Sequence, residues 1–231
     1  MYAILDIETT GGKFNEEGIT EIAIYKFDGH TIVDQFISLV NPEKEIQQFV
    51  VGLTGINNKM LQNAPKFYEI AKRVIEITKD CTLVAHNTTF DYRILSTEFD
   101  RLGYDFNRNT LCTVELSKQL ILDQPSYSLG KLTKALGIPM TDRHRASGDA
   151  LATVQLFKLL LEKDSTKTII KEYVKYYDQR IEKDRIQKLI AAVPSDTGLF
   201  YVHDKNGKIL FLGRGKNVKS EVNKLFLKET K

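Results

Sequence analysis

Tyr2-Ala3-Ile4-Leu5-Asp6-Ile7-Glu8-Thr9-Thr10-Gly11 is the stretch on which the reading of this chain turns. Tyr2 to Leu5 is a short apolar run with the pattern of a buried strand, and it ends on Asp6. Residues two apart on a strand point to one face, so Asp6 and Glu8 project together, roughly 6–7 Å apart. Two ionised acids side by side at the end of a buried strand repel unless something positive lies between them. A hard cation such as Mg²⁺ or Mn²⁺, which prefers oxygen ligands, meets that need. The plainer alternative is an exposed acid pair at a strand end, because Asp-x-Glu alone is a short pattern.

Outward from this strand, residues 21–27 and 31–40 read as two more strands, joined by Asp28-Gly29, a hairpin signal. Asn41-Pro42 breaks the pattern. Residues 65–78 carry Phe67, Ile70, Ala71, Val74 and Ile77 at helical spacing, with Pro65 in the first turn. Thr82–Ala85 is another short buried strand. Residues 90–102 return to helical spacing and stop at Gly103. Residues 129–136 form a short helix ended by Gly137-Ile138-Pro139, and residues 146–161 are the clearest amphipathic helix of the chain. Three strands followed by alternating helices and strands predict an α/β fold, a mixed sheet with helices packed on it.

The chain has 231 residues, 42% of them apolar and 27% charged, which is ordinary globular usage and excludes a wholly disordered chain. No apolar run reaches the ~18 residues of a membrane helix, and Met1 to Thr10 lacks the pattern of a secretory signal. Cys81 and Cys112 make neither a disulfide framework nor a metal-ligand pair, so a reducing cytoplasm is expected. With 33 basic and 30 acidic residues the net charge is +3. Residues 201–231 hold eight Lys/Arg and three Asp/Glu, so by subtraction residues 1–200 carry a net charge of −2. If residues 1–200 handle nucleic acid, they must do it through a local site rather than through bulk charge.

Two further stretches carry chemistry. His86-Asn87-Thr88-Thr89-Phe90-Asp91 follows the strand Thr82–Ala85 and places Asp91 in the first turn of the next helix, where the helix dipole favours a carboxylate. There Asp91 can simply support an N-cap by Thr88 or Thr89, and His86 and Asn87 can hold the turn by hydrogen bonds. His144-Arg145-Ala146-Ser147-Gly148-Asp149 is the third stretch. Five residues of helix rotate by ~140°, so His144 and Asp149 cannot share a helical face. If they act at one place, His144 sits on the segment after Pro139 and Asp149 on the helix. Asp149 is followed by Ala150, Val154 and Phe157, which turns its side of the helix inward, and an acid there needs a partner. A solvent-exposed loop histidine is the plainer reading of His144. Asp6, Glu8, Asp91 and Asp149 all fall at strand ends or helix starts, positions that converge at one edge of a mixed sheet.

The three stretches, Asp-x-Glu-Thr-Thr-Gly, His-Asn-x-x-Phe-Asp and His-x-Ala-x-x-Asp, in that order, resemble the three exonuclease motifs of the DEDDh 3′–5′ exonucleases. The likeness is greatest to the proofreading epsilon subunit of bacterial DNA polymerase III. It covers residues 1–163, the expected exonuclease domain, and implies a ribonuclease H-like mixed five-stranded sheet flanked by helices. It also implies two Mg²⁺ or Mn²⁺ ions, with Asp6, Glu8 and Asp149 as direct ligands and Asp91 holding the second ion. His144 would be the general base, since imidazole ordinarily titrates near neutral pH and a loop can carry it to the attacking water. Ile7 and Thr9 of the first motif, with Gly52, Leu53, Thr54, His86 and Phe90, are the implied substrate-binding residues. Leu53 and Phe90 read equally well as core residues. Val51 departs from the family, which often carries His before Gly-Leu/Ile-Thr, and this touches a detail of the nucleotide pocket. The implied substrate is the 3′ end of single-stranded or frayed DNA, in proofreading or repair. An exoribonuclease and a polymerase-docking subunit are the alternatives, and a DNA polymerase subunit is a possible partner.

Residues 164–192 are polar and helical in pattern, with Tyr173, Tyr176, Tyr177 and Ile181 among many charges, and residues 164–197 are expected to be a helical connector. Residues 198–204 and 209–213 read as two strands joined by Asn206-Gly207. Gly198-Leu199-Phe200 and Phe211-Leu212-Gly213 resemble the opening half-motifs of a GIY-YIG nuclease domain, with both tyrosines replaced by phenylalanine. Glu221 and Asn223 stand where that family places a helical arginine, so residues 198–231 are read as a partial GIY-YIG-like segment without a carried-over catalytic residue. A packing hairpin and helix with a basic character is the alternative.

Overall fold

The computed structural model describes residues 1–177, 189–204 and 207–227. The chain divides into two compact units, Met1–Tyr177 and Asp178–Lys231. In the first, β1 (Tyr2–Thr9), β2 (Ile19–Phe27), β3 (Ile32–Leu39), β4 (Thr82–Ala85) and β5 (Thr110–Cys112) form a five-stranded sheet of order β3-β2-β1-β4-β5. β1 is central, antiparallel to β2 and parallel to β4, and β5 extends the sheet parallel to β4. This is the mixed, helix-flanked α/β sheet of the ribonuclease H-like class. β1 runs past Asp6 because its pairing with β2 continues to Glu8 opposite Glu21, before an irregularity at Glu8/Thr9.

Helices cover both faces. α1 (Gln48–Thr54) and α2 (Asn58–Leu61) lead into α3 (Phe67–Thr78), and α4 (Thr88–Arg101) follows β4. On the other face lie α5 (Thr113–Leu120), α6 (Leu129–Ala135), α7 (Ala146–Lys163) and α8 (Thr168–Tyr173). α3 buries Phe67, Ile70, Ala71, Val74 and Ile77, the helical spacing read in the sequence. It starts later than expected: the Glu69 carboxylate caps the Lys66 N–H at 2.8 Å, and Pro65 lies outside the helix, its carbonyl accepting from Asn41 N at 2.9 Å.

The stretch after Lys163 also departs from expectation. α8 is short; the Asp164 carboxylate accepts from the N–H groups of Thr168 and Ile170 at 3.2 and 2.8 Å, and Ile170 is buried in the core. The chain then turns extended, and Lys175 exchanges two backbone hydrogen bonds with Thr110 of β5, at 2.8 and 2.9 Å. Pairing with a sheet edge wins over continued helix, so the first unit reaches Tyr177. The expected helix across 178–188, Ile181 included, lies outside the described residues, as does Asn206 of the expected turn.

In the second unit, β6 (Gly198–His203) and β7 (Ile209–Gly215) form an antiparallel hairpin. α9 (Val218–Leu227) buries Val218 and Val222 with Ile190, and Val193 and Phe200 pack against them. Among the described residues, no helix is long and apolar enough to cross a membrane.

Candidate active site

The alternation of β1 brings the acids together. Ala3, Leu5 and Ile7 point into the core shared with α3 and α4, while Ile4 points into the core shared with α7. By the same period of two, Asp6 and Glu8 fall on the face that α7 covers. Asp149 lies in the first turn of α7. One ligand oxygen from each of Asp6, Glu8 and Asp149 lies within 4.8 Å of the others.

Asp91 reaches the same strand from the opposite layer. Asn87 takes a left-handed φ of 84°, which asparagine tolerates, and turns the chain from β4 into α4. Asp91 is buried in the first turn, and its carboxylate accepts from the backbone N–H of Ile7 and from its own N–H. The sequence-predicted acids thus gather at the end of β1, three within 4.8 Å of one another and Asp91 near enough for its charge to act on Asp6.

Their electrostatics follow from that crowding. Burial, then the charges of Asp91, Asp149, Glu8 and Glu21, hold the Asp6 carboxyl well above the ordinary range. Glu8 is pushed up to about 8, by burial first and then by Asp149 and Glu21, against a lowering contribution from Arg145. Burial raises Asp91 to about 8 in spite of its two backbone hydrogen bonds. Asp149 is also raised by burial, opposed by the backbone N–H of His144 and the charges of His144 and Arg143. Asp149 Oδ1 is buried without a hydrogen-bond partner among the described residues. A converging set of hard oxygen donors with one orphaned oxygen fits a divalent cation of the Mg²⁺ or Mn²⁺ kind.

His144 stands where the helix argument requires, on the loop before α7, with φ 62°. The loop passes so close over the helix that a Cβ at Gly148 would strike the carbonyl oxygens of Thr141 and Asp142. Only glycine allows that approach.

The candidates for substrate contact are spread more widely. α1 is tied to the end of β1 by Gln47 N donating to Thr10 O at 3.0 Å. On it, Gly52 is exposed and Leu53 is 51% exposed. Thr54 is buried, its hydroxyl donating to Val50 O at 3.0 Å. Thr9 and the Ile7 side chain are buried. Phe90 is 36% exposed beneath the Arg93 guanidinium, 5.4 Å from its ring centre. His86 is placed as a holding residue: its ring nitrogens bond to Thr113 Oγ1 at 2.9 Å and Tyr127 O at 2.8 Å. Both nitrogens are thereby engaged within the protein, and burial lowers the ring's pKa.

Two residues that the motif reading passed over lie against the site. Glu21 on β2 is buried directly opposite Glu8. Its Oε2 accepts from Arg145 Nε at 3.0 Å and Ala146 N at 2.8 Å, and its Oε1 accepts from Arg145 Nη2 at 2.6 Å. The signal was present in the strand pattern, where Glu21 shares the inward register of Ala23 and Tyr25.

The fold and site define a metal-dependent type of nuclease, and the comparisons agree. The RNase T exonuclease family model matches residues 3–157, and the chain belongs to that family. It is similar to a PolC-type DNA polymerase III from Caldanaerobacter subterraneus subsp. tengcongensis, 36% identical over 162 residues, covering 70% of this chain and 12% of that protein. A 3′-5′ exonuclease DinG of Staphylococcus aureus is 34% identical over 163 residues, covering 70% of this chain and 18% of that one. The chain therefore spans less than a fifth of the length of these relatives. Among solved structures, exonuclease X in complex with 5′ overhanging duplex DNA superposes with a TM-score of 0.59 at 26% identity, covering 71% of this chain and 93% of that one. The nuclease domain of 3′hExo, a DEDDh family member, shares the fold at 19% identity and a TM-score of 0.62, covering 71% and 92% of the two chains.

Proposed function

We propose that this chain is a 3′–5′ exonuclease that hydrolyses phosphodiester bonds from the 3′ ends of single-stranded or frayed DNA. The observation that carries the reading is the convergence of Asp6, Glu8 and Asp149 within 4.8 Å, with an orphaned oxygen on Asp149. Asp6, Glu8 and Asp149 would hold one Mg²⁺ or Mn²⁺ ion and Asp91 a second. When bound, such ions supply positive charge to the phosphate and favour ionisation of the attacking water.

The chain's own residues do the rest. His144, on its loop beside Asp149, takes the proton of the attacking water as the new P–O bond forms and the bond to the 3′ oxygen breaks. Leu53 and Phe90, both exposed, offer apolar surfaces for terminal bases. Gly52 lets a nucleotide approach the α1 backbone, and Ile7 and Thr9 present main chain to the terminal phosphate. Thr54 and His86 support these elements from behind.

DNA is favoured because the relatives above 30% identity are named as a DNA polymerase III and a 3′-5′ exonuclease. The same names support a place in replication or repair and a polymerase as partner. The test is digestion of 5′-labelled and 3′-labelled oligonucleotides, DNA and RNA, with Mg²⁺ or EDTA. The 5′-labelled DNA should shorten in single-nucleotide steps only with Mg²⁺. Faster shortening of RNA would replace the DNA assignment, and shortening from the 5′ end would end the reading.

A further inference from the structure

We propose that Glu21 and Arg145 act as a positioning clamp that sets where Asp149 and His144 stand relative to β1, and so how tightly the acid trio takes a divalent cation. The proposal rests on the reading of the trio as a cation site and adds two residues that touch neither substrate nor ion.

Glu8 and Glu21 are direct cross-strand partners on one face of the sheet, an arrangement that is unfavourable for like charges. Arg145 resolves it. Its guanidinium grips both oxygens of Glu21 in a fork, with distances of 2.6 and 3.0 Å, a geometry that lysine cannot reproduce. The Glu21 side chain is only 3% exposed and that of Arg145 35%. The Glu21 oxygens are thus committed to Arg145 and to Ala146 N, so Glu21 is not placed as a further cation ligand.

The third bond gives the clamp its direction. The first N–H groups of a helix lack partners inside the helix. The residue preceding α7, Arg145, has no side-chain cap hydrogen bond. Glu21 supplies the cap from another strand, accepting from Ala146 N at 2.8 Å. Three hydrogen bonds therefore fix the Arg145–Ala146 joint to β2. His144 lies one residue before that joint, and one turn after it Asp149 N donates to Arg145 O at 3.1 Å. Since β2 also carries the pairing that holds Asp6 and Glu8 in register, the clamp references the α7 half of the site to the β1 half.

Residues behind metal ligands typically change metal affinity or activity by 10–100-fold when removed. The experiment is a Mn²⁺ titration read as the rise in melting temperature, run on the full chain and on Glu21→Gln, Arg145→Lys and the double variant Glu21→Gln/Arg145→Gln. Turnover and KM on a 3′-labelled-strand substrate series are measured beside it. Each single variant should raise the half-saturating Mn²⁺ concentration about 10-fold and lower kcat by at least as much, with KM within about 2-fold. The double variant should be no worse than the poorer single one, because both remove one device. Arg145→Lys keeps the charge and carries the test alone if Glu21→Gln does not fold. Unchanged Mn²⁺ response and kcat in the folded variants would overturn the clamp. So would a rise in KM alone, which would make Arg145 a phosphate contact. If the parent responds to Mn²⁺ but cuts no 3′ end, while the variants still differ in Mn²⁺ response, the nuclease reading fails and the clamp stands.

Discussion

The first unit holds two kinds of buried or half-buried acid, and they are treated differently. Glu17 is bound in a fork by Arg93 at 2.8 and 3.1 Å, Glu98 by Arg101 at 2.7 Å, and Glu21 by Arg145. Asp164 is satisfied by backbone N–H groups at the start of α8. Asp6, Glu8, Asp91 and Asp149 take part in none of the ion pairs among the described residues. A cationic partner does not always win over burial: the Arg93 hydrogen bond draws Glu17 below its ordinary value, burial still raises Glu98 beside Arg101, and Glu8 and Asp91, in no ion pair among the described residues, are pushed up to about 8. Acids that hold the fold together are given a partner inside it. The other four are left crowded with no ion-pair partner among the described residues, a condition that a divalent cation would relieve.

The hardest blow to the working set is Asp149→Ala or Asp6→Ala. Either should reduce hydrolysis by ~10⁴-fold or more at saturating Mg²⁺, by removing an ion ligand. The same variants should melt higher than the parent in EDTA, because they remove one of several repelling charges. Wild-type turnover in either variant would dissolve the distinction between the two kinds of acid.

His144→Ala comes next. It should lower turnover by roughly 10²–10⁴-fold, because proton removal from the water is lost while the ligands remain. Binding of a 3′ end, measured in Ca²⁺ or EDTA, should change little. Weakened binding at unchanged turnover would make His144 a substrate-positioning residue instead.

A smaller effect is expected in stability against pH without metal. Glu8 and Asp91 titrate at about 8 in the folded protein, against an ordinary carboxylate value of about 4. A raised folded value means that the stabilising contribution is complete below about pH 4 and is lost as pH rises through about 8. Melting temperature in EDTA should therefore fall from pH 5 to pH 9, and Mg²⁺ should flatten the fall. A metal-free protein that melts higher at pH 9 than at pH 5 would show the charges to be compensated internally.

The smallest effect is expected at an acid of the first kind. Asp164→Ala removes the cap of α8 and should cost about 1 kcal/mol, a drop of roughly 2–4 °C in Tm, with kcat per folded molecule unchanged. Loss of activity there would mean that structural and working acids are not separable.

Much of this was legible in the sequence because it rests on short-range periodicity. The two-residue alternation of β1 fixed the common face of Asp6 and Glu8, and the 100° step of a helix separated His144 from Asp149. What stayed hidden depends on pairing between distant residues. The partnership of Glu21 with Arg145 needs the β1–β2 register and the approach of α7, neither of which a single strand pattern contains. Gly148 was part of a motif, but its need became visible only from the loop that crosses it. The first unit runs past Lys163 to Tyr177 because Lys175 meets the free edge of β5, a distant partner that the helical pattern read across 164–192 did not announce. His86 was read both as a holder of its turn and as a substrate contact; its ring is engaged by Thr113 and Tyr127, partners far along the chain that no local pattern names.

Four crowded carboxylates without an ion-pair partner among the described residues are expected to take up divalent cations. Calorimetric titration of the metal-free chain with Mn²⁺ at pH 7, in two buffers of different ionisation enthalpy, tests it most directly. Glu8 and Asp91, raised to about 8, are largely protonated at that pH, so binding must expel protons. Mn²⁺ should bind with a measured heat that differs between the buffers, and Asp149→Ala should lose that binding. Absence of Mn²⁺ binding, or equal binding by Asp149→Ala, would contradict it.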